Sequence, residues 1–230
     1  MEDIFLRDAA IGTVIEESQK IKKIRLIETS AKPYPIKLKR FCDLALATFT
    51  LLFICTWLFP LIALIIKLTS EGPAFFKQFR HGKDNKPFYC YKFRTMVLND
   101  KADTLQAKRG DKRITKIGKF LRKSSLDELP QLINVLKGEM SIVGPRPYAV
   151  PMNEIFAKEI TGYMYRHAMK PGITGLAQSK GNRGEIENFH ELHSRYRWDM
   201  FYIKHWSLCL DVKIIFLTIR CLLFKNQKAV

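Results

Sequence analysis

No Cys-x-x-Cys pair occurs in this chain, and its five cysteines (Cys42, Cys55, Cys90, Cys209, Cys221) are odd in number and scattered. That excludes a disulfide framework and fits reduced thiols in a cytosolic or lipid-facing setting. The five histidines show no zinc-ligand layout. His190 and His193 are spaced for one helix face but have no companion cysteines or acids, so they read as an ordinary surface pair. A secretory signal is missing: the chain opens Met-Glu-Asp and its first long apolar run begins at Leu44, so export is not expected. Glycine (12) and proline (10) are sparse and 47% of residues are hydrophobic, which argues against wholesale disorder. Repeats and low-complexity tracts are absent. Acid is scarce as well: 22 Asp and Glu stand against 39 Lys and Arg, a formal charge of +17. Such an excess calls for an anionic partner, whether nucleic acid, lipid headgroups or phosphorylated substrates. The 230 residues hold one soluble domain plus a membrane segment, or one larger domain.

Three parts follow from the pattern. Residues 1–36 mix Ile21, Ile24, Leu26 and Ile27 with Lys20, Lys22, Lys23 and Arg25, which reads as an amphipathic or partly ordered leader. Residues 37–70 contain the anchor, since Leu44 to Ile66 carries no charge and exceeds the roughly 20 residues a bilayer-spanning helix needs. Pro60 lies inside that run, where it removes a backbone hydrogen bond and kinks or breaks a helix. Both flanks are basic: Lys37, Lys39 and Arg40 before, Lys67, Lys77, Arg80 and Lys83 after. A spanning helix usually has one flank poorer in Lys and Arg, so a segment that dips in, bends near Pro60 and returns is favoured over a spanning one.

Residues 71–230 form the remaining domain. Ala74 to Gln78 and Phe88 to Arg94 alternate like strands across a polar loop, a β-hairpin with Lys92 and Arg94 on one side. Asn99 to Gly110 reads as polar and helical, Ile114 to Arg122 and Leu126 to Leu136 as two further helices. Gly144 to Pro147 and Pro171 to Gly175 read as turns. Trp206 to Phe224 carries Asp211, Lys213 and Arg220 among apolar residues and suits an interfacial helix. The fold class is therefore α-rich α+β: a re-entrant membrane helix broken at a proline, a small β-hairpin, and a helical domain with interfacial amphipathic helices.

Asp127 and Glu128 in SSLDELPQ admit two readings. Ser125-x-x-Glu128 matches a capping box, and acids favour a helix N-terminus. Yet Lys112, Arg113, Lys116, Lys119, Arg122 and Lys123 lie just upstream. Adjacent carboxylates beside a cationic phosphate cradle are what an aspartyl nucleophile and a Mg²⁺ ligand would need. Arg146, fixed between two prolines, suits bidentate phosphate contact or is a solvated arginine on a turn.

These blocks in order, from KRFCDLALATFTLLFICTWLFPLIALIIKLTSEGP through RKSSLDELPQLINVLKGEMSIVGPRP to KPGITGLAQSKGNRGE, resemble the bacterial sugar transferase family, the monotopic polyprenyl-phosphate phosphoglycosyl transferases, from Lys37 to about Phe224. The resemblance implies a bacterial inner-membrane protein with its catalytic domain on the cytoplasmic face and a re-entrant helix broken at Pro60. Phe59 stands where relatives usually carry Ser. It implies a UDP-sugar donor, undecaprenyl phosphate as acceptor, membrane lipids around the anchor, and Mg²⁺ held by Glu128. Asp127 would be the nucleophile, with UMP released, at the first membrane step of exopolysaccharide, capsule, O-antigen or glycoconjugate synthesis. Arg122 and Arg146 match the family's phosphate-binding arginines, Lys92 and Arg94 lie in the matching basic strand, and Arg113 belongs to the upstream basic run. Gln178 and Arg183 fall in the block after the Pro-Gly-Ile-Thr-Gly turn, as nucleotide-sugar contacts. A homo-oligomer and hand-over to downstream glycosyltransferases are compatible with this, whereas nucleic acid is not an expected partner.

The tail from Arg183 to Ile219 resembles members that begin exopolysaccharides with glucose 1-phosphate, with galactose and N-acetylated or diamino sugars open as alternatives. Leu176 and Ser179 to Asn182 depart from the usual text of that block, which bears on the sugar. The membrane spans of larger relatives are missing from this text, the expectation for a compact form. The rival reading is a catalytically inactive membrane scaffold of the same fold.

Overall fold

The computed structural model describes residues 36–98, 106–108, 110–182 and 184–224. The expected leader therefore lies outside the described residues, apart from Ile36, and so does most of the stretch read as a polar helix from Asn99. Residues 106–108 and 110 of that stretch are not helical.

The uncharged run forms helix α1 (Ile36–Thr50), a wide turn with i→i+5 bonding (Leu51–Cys55), and α2 (Thr56–Thr69). From Lys37 to Thr69 this is the one helix among the described residues long and apolar enough to cross a membrane, and only 17% of its most apolar window is buried. Pro60 sits inside α2 without ending it. The irregularity falls one turn earlier instead. There Thr56 Oγ1 donates to the carbonyls of Leu51 (3.0 Å) and Leu52 (2.6 Å), and Trp57 Nε1 to that of Phe53 (3.1 Å). Side-chain donors thus supplement the i→i+5 bonding of this wide turn.

One stripe of this helix packs inward and the rest is bare. Ala47 and Cys55 join a cluster with Phe88, Leu132 and Val135, while Ile62 and Ile66 join another with Ala74, Phe93 and Leu121. Phe49, Leu52, Phe53, Trp57, Leu64 and Leu68 stay exposed. So large a contiguous apolar surface needs a non-aqueous neighbour.

Both ends of the long helix are tied to the same body. Near its start, Lys39 pairs with Asp211 at 2.6 Å and Arg40 donates to the carbonyls of Val135 (2.6 Å) and Leu136 (3.0 Å). Asp43 accepts from Ser141 Oγ (2.8 Å) and the Ile142 amide (3.0 Å). Just past its end, Arg94 grips the carbonyls of Ser70 and Glu71.

Strands β1 (Phe75–His81) and β2 (Pro87–Phe93) pair as an antiparallel hairpin, with Phe76 opposite Lys92. The first strand runs three residues further than its sequence suggests. Helix α3 (Lys116–Ser124) begins where Thr115 Oγ1 accepts from the Gly118 amide at 2.9 Å, two residues later than expected. A helix spanning Leu126 to Leu136 does not form. Ser125 adopts φ +58°, a 3₁₀ turn covers Leu126–Glu128, and α4 (Gln131–Lys137) starts only after Pro130, whose ring has no N–H to continue a ladder. Ser125 makes no side-chain cap, so the capping-box reading fails.

The Pro171–Gly175 stretch is also more than a turn. Strand β3 (Ser141–Val143) pairs in parallel with β4 (Gly172–Thr174), so the described residues carry two small sheets. Helix α5 (Val150–Glu159), the 3₁₀ segment Tyr163–Ala168, the short α6 (Leu176–Ser179), and α7 (Phe189–Lys204) complete the body, with α8 (Leu208–Phe224) as the expected C-terminal helix. The β3–β4 crossing is tight. A Cβ on Gly172 would overlap the Gly144 amide and the Thr174 carbonyl, backbone atoms that cannot turn away. Gly172→Ala is expected to cost about 1–3 kcal/mol, read as a lower thermal midpoint in detergent; an unchanged midpoint would mean the two strands can separate freely.

Candidate active site

The turn Leu126–Glu128 is oriented by its apolar neighbours. Leu126 packs against the Phe93 and Leu121 cluster, and Leu129 against the Ala47 and Leu132 cluster. With these two leucines three residues apart and both turned into the core, Asp127 and Glu128 project into a cavity of about 740 Å³.

Glu128 receives two cations. Lys92 Nζ, from β2, lies 2.6 Å from Oε1, and Arg146 Nη2 2.9 Å from the same oxygen. Oε2 has only a 3.4 Å contact from Arg146 Nη1. Burial alone would raise this carboxyl, but the charges and hydrogen bonds of Arg146 and Lys92 outweigh it and hold it well below the usual range. Asp127 is the opposite case. Its carboxylate accepts no hydrogen bond among the described residues, and it is buried. Burial pushes its pKa up to about 6, with Glu128 adding to the rise and Lys92, Arg122 and Arg146 opposing it. Two adjacent acids are thus separated by environment into a neutralised one and an unpaired one.

Arg146 is held by its backbone. Arg166 Nη2 donates to the Arg146 carbonyl at 2.6 Å, and Arg80 Nη1 to the Pro147 carbonyl at 2.7 Å. Arg166 is itself buried, bonded to Asp199 at 2.6 and 3.0 Å, and lies over the rings of Tyr148 and Tyr163. Arg122 uses Nε on Thr95 Oγ1 at 2.8 Å, leaving both Nη groups without a protein partner among the described residues. The cavity wall carries Arg80, Lys92, Arg94, Arg122 and Arg146 against Asp127, Glu128 and Glu185. Cations outnumber acids, which suits an anionic occupant.

The expected site residues divide accordingly. Lys92, Arg122, Asp127, Glu128 and Arg146 meet in one cavity. Arg94 borders it, but its guanidinium is engaged by the Ser70 and Glu71 carbonyls, so it secures the end of α2 instead of pointing with Lys92. Arg113 does not line the cavity and is bonded to Asp111, at 2.7 Å in the ion pair. Gln178 lines it, with Nε2 donating to the Ile173 carbonyl (3.1 Å) and Oε1 buried without a partner. Arg183 lies outside the described residues. His190 and His193 are surface residues, and no metal-holding cluster of three His, Cys, Asp or Glu occurs among the described residues. Sequence reasoning missed Arg80, Thr95, Arg166 and Asp199. Arg80 was visible only as flank charge, and the other three sit in text with no motif.

A carboxylate pair in a basic cavity suits an anionic, phosphate-bearing occupant, and the same body carries a helix long and apolar enough to cross a membrane. The chain belongs to the bacterial sugar transferase family, whose profile matches residues 34–225. It is 49% identical over 207 residues to a UDP-glucose:undecaprenyl-phosphate glucose-1-phosphate transferase of Escherichia coli K12, covering 89% of this chain and 44% of that protein. A Caulobacter vibrioides protein of the same name is 46% identical over 187 residues, 80% of this chain and 69% of the relative. An Aeromonas hydrophila UDP-N-acetylgalactosamine-undecaprenyl-phosphate N-acetylgalactosaminephosphotransferase is 47% identical over 162 residues, 70% of this chain and 38% of that protein. The chain therefore spans less than half the length of the Escherichia coli relative.

Proposed function

We propose that this protein transfers a sugar 1-phosphate from a UDP-sugar to undecaprenyl phosphate at the cytoplasmic face of a bacterial inner membrane. The observation that carries this is the unpaired, buried Asp127 carboxylate beside a Glu128 whose charge is taken up by Lys92 and Arg146. A carboxylate without hydrogen bonds and with a raised pKa is the stronger nucleophile of the two.

In the first step an Asp127 oxygen bonds to the sugar-bearing phosphorus, and the phosphoanhydride bond breaks to release UMP. In the second, a phosphate oxygen of the lipid attacks the same phosphorus. The aspartyl–phosphorus bond breaks, Asp127 is restored, and a polyprenyl-diphosphate sugar leaves. Arg122, whose Nη groups take no partner among the described residues, and Arg146 are placed to offset the phosphate charge that would otherwise repel Asp127. Glu128 Oε2 is a hard donor still open to a cation, which fits Mg²⁺, an ion bound through one or two carboxylates plus substrate phosphates. Held there, Mg²⁺ would neutralise pyrophosphate charge.

What supports a dip into one leaflet is that Lys39 to Asp43 and Ser70 to Glu71 are held by the same body. A helix of 33 residues rises about 50 Å if straight, beyond the roughly 30 Å hydrocarbon layer, and a crossing would put those two anchor points on opposite sides. The exposed apolar face of α1 and α2 then rests in lipid.

Glucose is the proposed sugar, since two of the relatives above carry glucose in their names and the third N-acetylgalactosamine. Purified protein with Mg²⁺ and undecaprenyl phosphate should release UMP from UDP-glucose in preference to other UDP-sugars. Release from another sugar would change the donor, and silence across a broad panel from folded protein would favour the inactive scaffold. The first step should also show an acid limb. Asp127 must be ionised to attack, so kcat/KM for the UDP-sugar should fall about tenfold per pH unit below the pKa of this carboxyl, which a bound Mg²⁺ would bring below its metal-free value of about 6. A rate that falls at no acid pH the folded protein survives would contradict the Asp127 assignment.

A further inference from the structure

The carboxylate pair occupies only one part of the cavity, and another part has no polar function to offer. Helix α1 lends it Leu46 and Thr50, four residues apart and so on one face. Helix α8 lends Ile215, Ile219 and Leu222, again at helical spacing, and Ile142 and Ile173 of β3 and β4 lie between. The three hydroxyls here, of Thr50, Thr174 and Thr218, are spent. Thr50 Oγ1 donates to the Leu46 carbonyl (2.8 Å), and Thr218 bonds the Ile214 carbonyl (2.8 Å) and Thr174 Oγ1 (2.7 Å). The charges of α8 are kept out of it: Lys213 and Arg220 are exposed, and Asp211 is buried against Lys39, Tyr202 and Trp206. No nucleotide or sugar, each rich in donors and acceptors, is matched by such a wall.

We propose that this apolar arm binds the first isoprene units of the polyprenyl phosphate, with α1 and α8 as its two jaws. The argument rests on the transfer reading above and on three features of the cavity. The arm is continuous with the cavity that holds Asp127, so a chain lying in it carries its phosphate toward that carboxylate. Leu46 and Ile219 are 41% and 51% exposed, so the arm opens sideways instead of ending blind. Phe49 and Phe216, large apolar side chains of the same two helices, are also bare. The whole cavity measures about 740 Å³ and must also admit the sugar phosphate, so only the head of a long isoprenoid fits and the remainder stays in the bilayer.

The test uses the full chain in detergent or nanodiscs and a polyprenyl phosphate carrying a photoreactive diazirine in its second isoprene unit. Label is expected on peptides containing Leu46 to Thr50 and Ile215 to Leu222, and excess undecaprenyl phosphate should suppress it. Label confined to other lipid-facing surfaces, or label in the arm that no competitor removes, would overturn the proposal. In kinetics, Ile215→Trp and Leu222→Trp, which fill the arm, should raise KM for undecaprenyl phosphate about tenfold. The UMP burst formed before lipid is added serves as the check that each variant is folded and charged at Asp127. An unchanged lipid KM in variants with a normal burst would also overturn it. Absence of any burst from the wild-type protein would sink the transfer reading instead, while the photolabel would still decide the arm.

Discussion

Asp127→Asn is expected to lower turnover by roughly 10³-fold or more, while leaving a protein that is folded and at neutral pH more stable. The amide has nearly the shape of the carboxylate but no charge with which to bond phosphorus, so neither UMP nor a covalent phosphosugar adduct should form. The gain in stability follows from the burial of an acid that accepts no hydrogen bond. Its pKa rises on folding from the ordinary 3.8 to about 6, so the folded state binds a proton that the unfolded chain releases. Wild-type stability therefore declines as pH rises from about 4 to 6, and above 6 the deficit is complete. Asn removes it, a gain of about 1–3 kcal/mol at pH 7 that should vanish below pH 4. Thermal unfolding at pH 4 and pH 7, beside a UMP assay, checks both halves. A variant that keeps wild-type turnover would remove Asp127 from the chemistry. One that is less stable at pH 7 would mean the carboxylate has partners in the folded state.

The second large effect lies away from the carboxylates. Arg166 and Asp199 have side chains only 1% and 4% exposed, and they form the most deeply buried ion pair among the described residues. Asp199→Ala leaves a buried guanidinium without its counter-charge and should cost about 3–5 kcal/mol. Arg166→Met tests something different. A thioether chain of similar length fills the slot between Tyr148 and Tyr163 without charge, although Asp199 is then left alone unless it takes up a proton, as its burial favours. What that variant cannot replace is the hydrogen bond to the Arg146 carbonyl. The double variant Arg166→Met with Asp199→Leu should thus recover much of the stability lost in Asp199→Ala and still show a raised KM for the UDP-sugar. Recovery of both would make the pair structural only.

The lesson for reading the sequence lies in where each signal is stored. The anchor was legible because an uncharged run of that length is rare in a soluble core, and the hairpin because its strands alternate. Asp127, Glu128 and Arg146 were visible because they sit in short stretches full of proline, serine and charge. The capping box was misread for a physical reason: Ser125 and Glu128 have the right spacing, but Lys92 and Arg146, 36 and 18 residues away, hold the glutamate, and Ser125 turns left-handed. Spacing along the chain cannot report such distant partners. Arg94 shows the same limit, since alternation put it beside Lys92 but not whether a carbonyl or a phosphate would claim it. The expected break at Pro60 differs in another way: the helix leaves α-geometry at Leu51–Cys55, while Pro60, whose missing N–H bears on the Thr56 carbonyl, sits inside α2.

The ion pair between Lys39 and Asp211 joins residues 172 positions apart. At roughly 5–20 residues per second, a ribosome needs on the order of ten to thirty seconds to travel between them. Throughout that interval the long apolar helix has been made while one wall of the cavity has not. The cavity thus stays unfinished until Tyr202, Trp206 and Asp211, which share one hydrogen-bonded corner, have been added to the chain.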